Sequence, residues 1–228
     1  PLAIMDSVEI TIQRTGAATA LAARHLSRPD SRVATICGCG TQGRIQLRAL
    51  LAARPIARVF AVDSEIDVAA RFAADMHAAT GIDVVATVDL RAAVRESDIC
   101  VTCTPSPRWF LGREHVRTGT FIAAVGADNP EKQELEPALL GAAVVVTDST
   151  AQCAEIGDLH HALAAGAMTR EDVHATLGQL VAGLKPGRVD PNDVIVFDSC
   201  GIAIEDIAAA AFVYEAAMRE GRGLRLAL

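Results

Sequence analysis

Three glycines constrain this chain more than any other feature. Gly38, Gly40 and Gly43 stand in Ile36-Cys37-Gly38-Cys39-Gly40-Thr41-Gln42-Gly43, directly after an apolar run and directly before a helical pattern. A strand that turns at once into a helix needs a residue free of Cβ at the turn, and Gly38 supplies it. Gly40 lets the backbone come close to an oxyanion, and Gly43 lets the helix lie tight on the strand. Glycine triplets occur in loops by chance, so the spacing alone is weak. Between a buried strand and a helix it is the fingerprint of a dinucleotide-binding βαβ unit. The free N–H groups of the first helical turn, aided by the helix dipole, then hold a diphosphate. Asp63 completes the pattern. It ends the next apolar run, twenty residues after Gly43. An acid there accepts from both ribose hydroxyls and repels a 2′-phosphate. Glu65 adds negative charge and no arginine follows closely, so NAD is expected over NADP; a solvated loop acid is the plain alternative.

The rest of the chain repeats the same grammar. Apolar runs at 33–37, 57–62, 84–87, 99–102, 120–125, 144–147 and 194–197 read as strands. Helical patterns at 42–53, 66–80, 90–96, 137–140 and about 204–220 lie between or after them. Continuous apolar strands alternating with helices give a mostly parallel sheet covered on both faces, an α/β doubly wound, Rossmann-like fold. A first helix is expected from Asp6 to Leu26, with Glu9 at capping-box spacing from Asp6. Residues 2–5 and 224–228 read as short strands with no obvious partner in that sheet. The expected division is 1–27, an edge strand and linking helix; 28–200, the cofactor domain; and 201–228, a helix and strand leading to a second lobe.

Composition removes other classes. A formal net charge of −7 and a pI near 5.3 argue against nucleic acid as a partner. No apolar run is long enough to span a bilayer. Aromatics are 4% of residues, so Ala, Val, Ile and Leu must build the core. The cysteines are scattered through apolar stretches, which suits buried free thiols in a reducing, cytoplasmic setting. Cys100 and Cys103 form C-x-x-C, but on a strand they face opposite ways. His160, His161 and His174 lack a further ligand at metal spacing and are read as non-metal histidines.

Two more loops follow strands on the ligand-binding edge of such a sheet: Thr104-Pro105-Ser106-Pro107 and Gly126-Ala127-Asp128-Asn129-Pro130. Asp128 is the candidate for orienting an amino group or moving a proton, with a turn-capping role as the alternative. Arg14, among small residues on the first helix, has the two-pronged donors to clamp a substrate carboxylate, or is a surface arginine.

These residues resemble the ornithine cyclodeaminase/mu-crystallin family, and within it the alanine dehydrogenase branch. The matching segments are Met5-Asp6, residues 14–18, 38–42, 126–128, 132–135, 171–178 and 197–206. The resemblance implies that Arg14 faces substrate carboxylate or cofactor phosphate and that Thr15, paired with it, binds cofactor. It implies that Thr41 and Gln42 contact the pyrophosphate, that Asp63 binds the ribose, that Thr104 and Pro105 line the adenosine side, and that Lys132 and Ser199 lie near the nicotinamide half. Asp128 matches the family's acid near the reacting carbon. Gly43 stands where relatives often carry Ala. The implied activity is an NAD-dependent oxidoreductase moving hydride to or from C2 of a small amino or imino acid, and the implied assembly is a homodimer. Ornithine cyclodeamination and non-catalytic nucleotide binding remain the alternatives. Family members carry an N-terminal lobe ahead of the segment that opens here, which supplies a substrate-contacting lysine. The expectation is therefore a fragment or truncated homologue that binds cofactor but turns over poorly.

Overall fold

The computed structural model describes residues 2–224. A long first helix, α1 (Ser7–Leu26), leads into the alternating unit β1 (Val33–Cys37), α2 (Thr41–Ala53), β2 (Arg58–Val62), α3 (Ile66–Thr80), β3 (Asp83–Thr87), α4 (Leu90–Glu96), β4 (Ile99–Thr102) and β5 (Phe121–Ala124). There follow α5 (Pro137–Gly141), β6 (Val144–Thr147), α6 (Thr150–Ile156), α7 (Asp158–Ala164), β7 (Ala175–Thr176), α8 (Leu177–Val181), β8 (Ile195–Asp198) and α9 (Ala203–Glu220). The strands form one sheet in the order β3-β2-β1-β4-β5-β8-β6-β7. Every pairing between them is parallel.

Alternate residues of each strand feed opposite faces, which is why uninterrupted apolar runs were needed. Ile36, Ala61, Val101, Phe121 and Phe197 enter one core, against Leu47 and Leu50 of α2, Phe72 of α3 and Ala22 and Leu26 of α1. Cys37, Phe60, Cys100, Ile122 and Val196 enter the other, under Val94 of α4, Leu139 of α5, Cys153 of α6 and Leu159 of α7. Doubly wound architecture is thus present as expected. The small residues of α1 let it pack closely on α2: a Cβ on Gly16 would lie 2.8 Å from the Ile45 side chain.

Several details differ from the sequence reading. Residues 2–5 form no strand; Leu2 and Ile4 are about nine-tenths exposed. An extended, apolar run is not a strand without a neighbouring edge to complete its hydrogen bonds. The expected terminal strand falls almost wholly outside the described residues, and Leu224, its first member, is exposed without strand pairing. Asp6 does cap α1, accepting from Val8 N at 2.8 Å, but no reciprocal bond from Glu9 completes a box. β7 was not anticipated; its two residues pair with Val146 and Thr147. β8 enters between β5 and β6, so the last long strand lies inside the sheet. The helix α9 buries none of its residues and exposes Ile204, Ile207 and Phe212.

Candidate functional site

Two cavities open along the carboxyl ends of the strands. The outer one, about 740 Å³, runs from Asp63 and Ser64 over Gly38 and Gly40 to Thr104 and Pro105. The inner one, about 270 Å³, runs from Thr104 and Pro105 past Gln42 to Arg14, Thr15, Asp128, Lys132 and Ser199. They share Cys103, Thr104 and Pro105, so together they form one trough across the point where strand order reverses, between β1 and β4. Every expected site residue except Thr41 and Gly43 lines one of the two; those two sit in the first turn of α2.

The glycine loop has the geometry its spacing implied. Gly38 has φ +100°, and a Cβ there would meet the Cys103 carbonyl oxygen at 2.8 Å. A Cβ on Gly43 would collide with the Gly38 carbonyl oxygen, so in this backbone an alanine there requires a shift. A Cβ on Gly40 would meet nothing within 4 Å. That open space faces the outer cavity, where a ligand can approach the backbone. No side chain caps α2, and Gln42 Oε1 is buried without a partner beside the inner cavity. The turn thus holds unspent hydrogen-bonding capacity at the positive end of a helix of 13 residues. Asp63 is anchored rather than loose: its Oδ2 accepts from Cys39 N at 3.0 Å and its Oδ1 from Glu65 N at 3.3 Å. Burial, with Asp63 nearby, pushes the Cys39 thiol up to about 12.

In the inner cavity Lys132 Nζ donates to Asp128 Oδ1 at 2.7 Å, four residues apart. Asp128 is 56% exposed there, so the pair stays accessible to solvent. The Arg14 guanidinium lies over Gly201, donating from Nε to Asp206 Oδ1 at 3.1 Å and from Nη1 to Glu205 Oε2 at 3.3 Å. The arginine expected to meet a ligand carboxylate is thus held by two protein carboxylates at the cavity rim. Thr15 Oγ1 is turned to Thr11 O at 2.8 Å. Among the described residues His161 bonds Lys132 O and His174 bonds Pro186 O, both at 2.9 Å.

Sequence reasoning missed a set of buried acids behind the trough: Glu134, Asp148, Asp158 and Asp198. Asp148 takes Ser199 Oγ at 2.9 Å and Gly201 N at 2.6 Å, fixing the turn that lines the inner cavity. Asp198 accepts from Asp158 N and Leu159 N; Asp158 in turn accepts from Glu134 N and Leu135 N. Burial, then the neighbouring Asp148, pushes the Asp198 carboxyl up to about 7. Burial, then Asp198 and Glu134, pushes Asp158 up as well. The signal that could have found two of them is position: Asp148 directly follows an apolar strand run and Asp198 ends one, where an acid has little access to water. All six cysteines are free, and Cys103 donates to Cys37 O and Gly38 O, beneath the glycine loop.

A sequence profile described as the ornithine cyclodeaminase/mu-crystallin family matches residues 1–221. The chain belongs to this family. It is 40% identical over 226 residues to an alanine dehydrogenase of Archaeoglobus fulgidus, covering 99% of this chain and 69% of that protein. Among solved structures, an archaeal alanine dehydrogenase dimer with bound NAD superposes with a TM-score of 0.95 at 40% identity, covering 100% of this chain and 70% of that one. The Δ1-pyrroline-2-carboxylate reductase of Thermococcus litoralis, in complex with NADH and L-proline, gives 0.94 at 32% identity, with 97% and 69% covered. The family expected from the residues is therefore the family found, and its solved members carry the same doubly wound sheet.

Proposed function

We propose that this chain binds NAD(H) along the trough and belongs to an oxidoreductase that moves hydride to or from C2 of a small amino or imino acid. The observation that carries the proposal is the continuity of the two cavities. Asp63 stands at one end and Asp128 at the other, with the uncapped α2 turn between. The residues fit a dinucleotide: open space at Gly40 and the N–H groups of the uncapped first turn of α2 leave room and donors for its diphosphate, while the unpartnered Gln42 Oε1 can accept from a hydroxyl or amide of the ligand. Bound nicotinamide would supply the hydride chemistry; the protein supplies orientation and charge.

In this reading the first turn of α2 holds the diphosphate, and Asp63 holds the adenosine ribose while repelling a 2′-phosphate. Thr104 and Pro105, at the junction, line the path between the two halves. Asp128 holds a substrate nitrogen or takes its proton, and Lys132 keeps the carboxylate oriented at 2.7 Å. Glu205 and Asp206 engage Arg14 through Nη1 and Nε, which leaves Nη2 to meet a ligand anion. Homodimerisation is part of the same proposal, with the unburied apolar side chains of α9 as one contact. No helix among the described residues is long and apolar enough to cross a membrane. The six free thiols support a cytoplasmic site of action.

The test is fluorescence titration with NADH, followed by NADH consumption with pyruvate and ammonia or with a cyclic ketimine. Saturable binding supports the cofactor half, and consumption the reaction. A chain that binds no NADH overturns the proposal. Ornithine turnover without net change in NADH replaces it with cyclodeamination.

A further inference from the structure

Parallel strands hold their loops in register only as far as the ladder runs. β4 and β5 pair up to Thr102 opposite Ala124, and one more bond, Val125 N to Thr102 O, closes the ladder. Beyond it, the backbone N–H groups of Thr104 and Gly126 are two donors with no strand acceptor left. Both donate to one side chain. Glu134 Oε1 accepts from Thr104 N at 2.6 Å and from Thr104 Oγ1 at 2.7 Å, while Oε2 accepts from Gly126 N at 3.0 Å.

Glu134 is fully buried, and among the described residues no cation pairs with it. Its backbone is fixed on two sides. Its carbonyl accepts from Phe110 N and Leu111 N, and its N–H donates to Asp158. The side chain is seated closely: a Cβ on Gly126 would lie 2.5 Å from Glu134 Cδ. Burying a carboxylate without a cation is costly, and its burial pushes the carboxyl up against the pull of its donors. The return for that cost lies in the bonds to these two loops, and both loops border the trough.

We propose that Glu134 is a positioning residue of the trough: its carboxylate bridges the loops leaving β4 and β5, setting Thr104 and Pro105 against Asp128 where the sheet no longer can. Glu134 touches neither cavity, so it acts through the loops it joins. A glutamine has the same shape but turns an NH2 toward one of the donors. It can satisfy Thr104 or Gly126, not both. The cofactor half of this inference rests on the NAD(H) reading above; the loop half does not.

The experiment compares the parent chain, Glu134→Gln and Met76→Ala, the last a core change in α3, which packs mainly on β3 and β2. Melting temperature, backbone hydrogen exchange and NADH affinity are measured well below all three melting points. Glu134→Gln is expected to speed exchange in residues 103–106, in 126–129, or in both, with the rest of the sheet protected as in the parent. NADH Kd should rise by about 10-fold or more, the scale of one lost bond to a charged acceptor. Met76→Ala should lose stability without either effect. Parent-like exchange in both segments overturns the proposal. So does a rise in Kd no larger than that of Met76→Ala. If the parent itself binds no NADH, the functional reading fails, and the exchange data alone decide the role of Glu134.

Discussion

Replacing Asp63 by Ser should convert a strong preference for NADH into a weak one or none. The carboxylate is held at the strand end by Cys39 N at 3.0 Å and Glu65 N at 3.3 Å, so its free lone pairs face the outer cavity in a fixed direction. Two bonds to ribose hydroxyls, discounted for a half-exposed site, contribute about 1.5 kcal/mol, near the low end for charged acceptors. Losing them weakens NADH roughly 10-fold. A 2′-phosphate carries nearly two negative charges. At about 5 Å and an effective dielectric constant near 20, each costs about 3 kcal/mol against the carboxylate. Screening at physiological salt leaves about half of this, so removing Asp63 should strengthen NADPH by about 10- to 100-fold. The ratio of the two affinities should therefore move by about 10² to 10³. Serine retains an oxygen for Cys39 N, which keeps the loop in place, and Glu65 remains to oppose full reversal. Fluorescence titrations of both cofactors against both proteins measure the ratio. A parent that prefers NADPH, or a ratio that moves by less than about threefold, would refute the assignment of Asp63 to the ribose.

Further outcomes follow from the same geometry. In an active preparation, Asp128→Asn should lower kcat by on the order of 10²-fold while NADH Kd changes little, as read from steady-state rates and titration. Gly38→Ala, forced to hold φ +100° with a Cβ against Cys103 O, should cost about 1–3 kcal/mol and lower Tm in a thermal melt; an unchanged Tm would show that the turn relaxes freely. Asp198 has a folded-state pKa pushed up to about 7, far above its unfolded value, so the folded chain binds the extra proton between those two values. Its contribution to stability is thus greatest in acid and is lost as pH rises from about 4 to about 7. Denaturant melts across that window should show Asp198→Asn gaining on the parent with rising pH, and a constant difference would contradict the buried, proton-binding carboxylate. Sedimentation should reveal self-association that weakens when Phe212 on α9 becomes Glu.

What the sequence determined by itself was local. Strand, turn and helix around residues 33–53 are encoded within one short stretch, because a tight βα turn needs glycine at Gly38 and close packing needs it at Gly43. Asp63 was legible for the same reason: its distance along the chain is set by one helix turnback and one strand. Alternating apolar runs gave the layers, since only a sheet covered on both faces needs strands without polar alternation. The path of the chain was not written that way. The last long strand inserts between β5 and β6 because its side chains, Val196 and Phe197, complete both cores there, a fact of packing rather than pattern. The state of Arg14 was likewise hidden. Its partners Glu205 and Asp206 lie almost two hundred residues away and meet it only when α9 crosses α1. The buried acids were the least legible of all. A glutamate in Lys132-Gln133-Glu134-Leu135 reads as a surface residue, because one-dimensional sequence carries no measure of burial for a single charged side chain. Tertiary structure alone decided that Glu134 would stand where two strands run out of acceptors, since that place exists only once β4 and β5 are side by side.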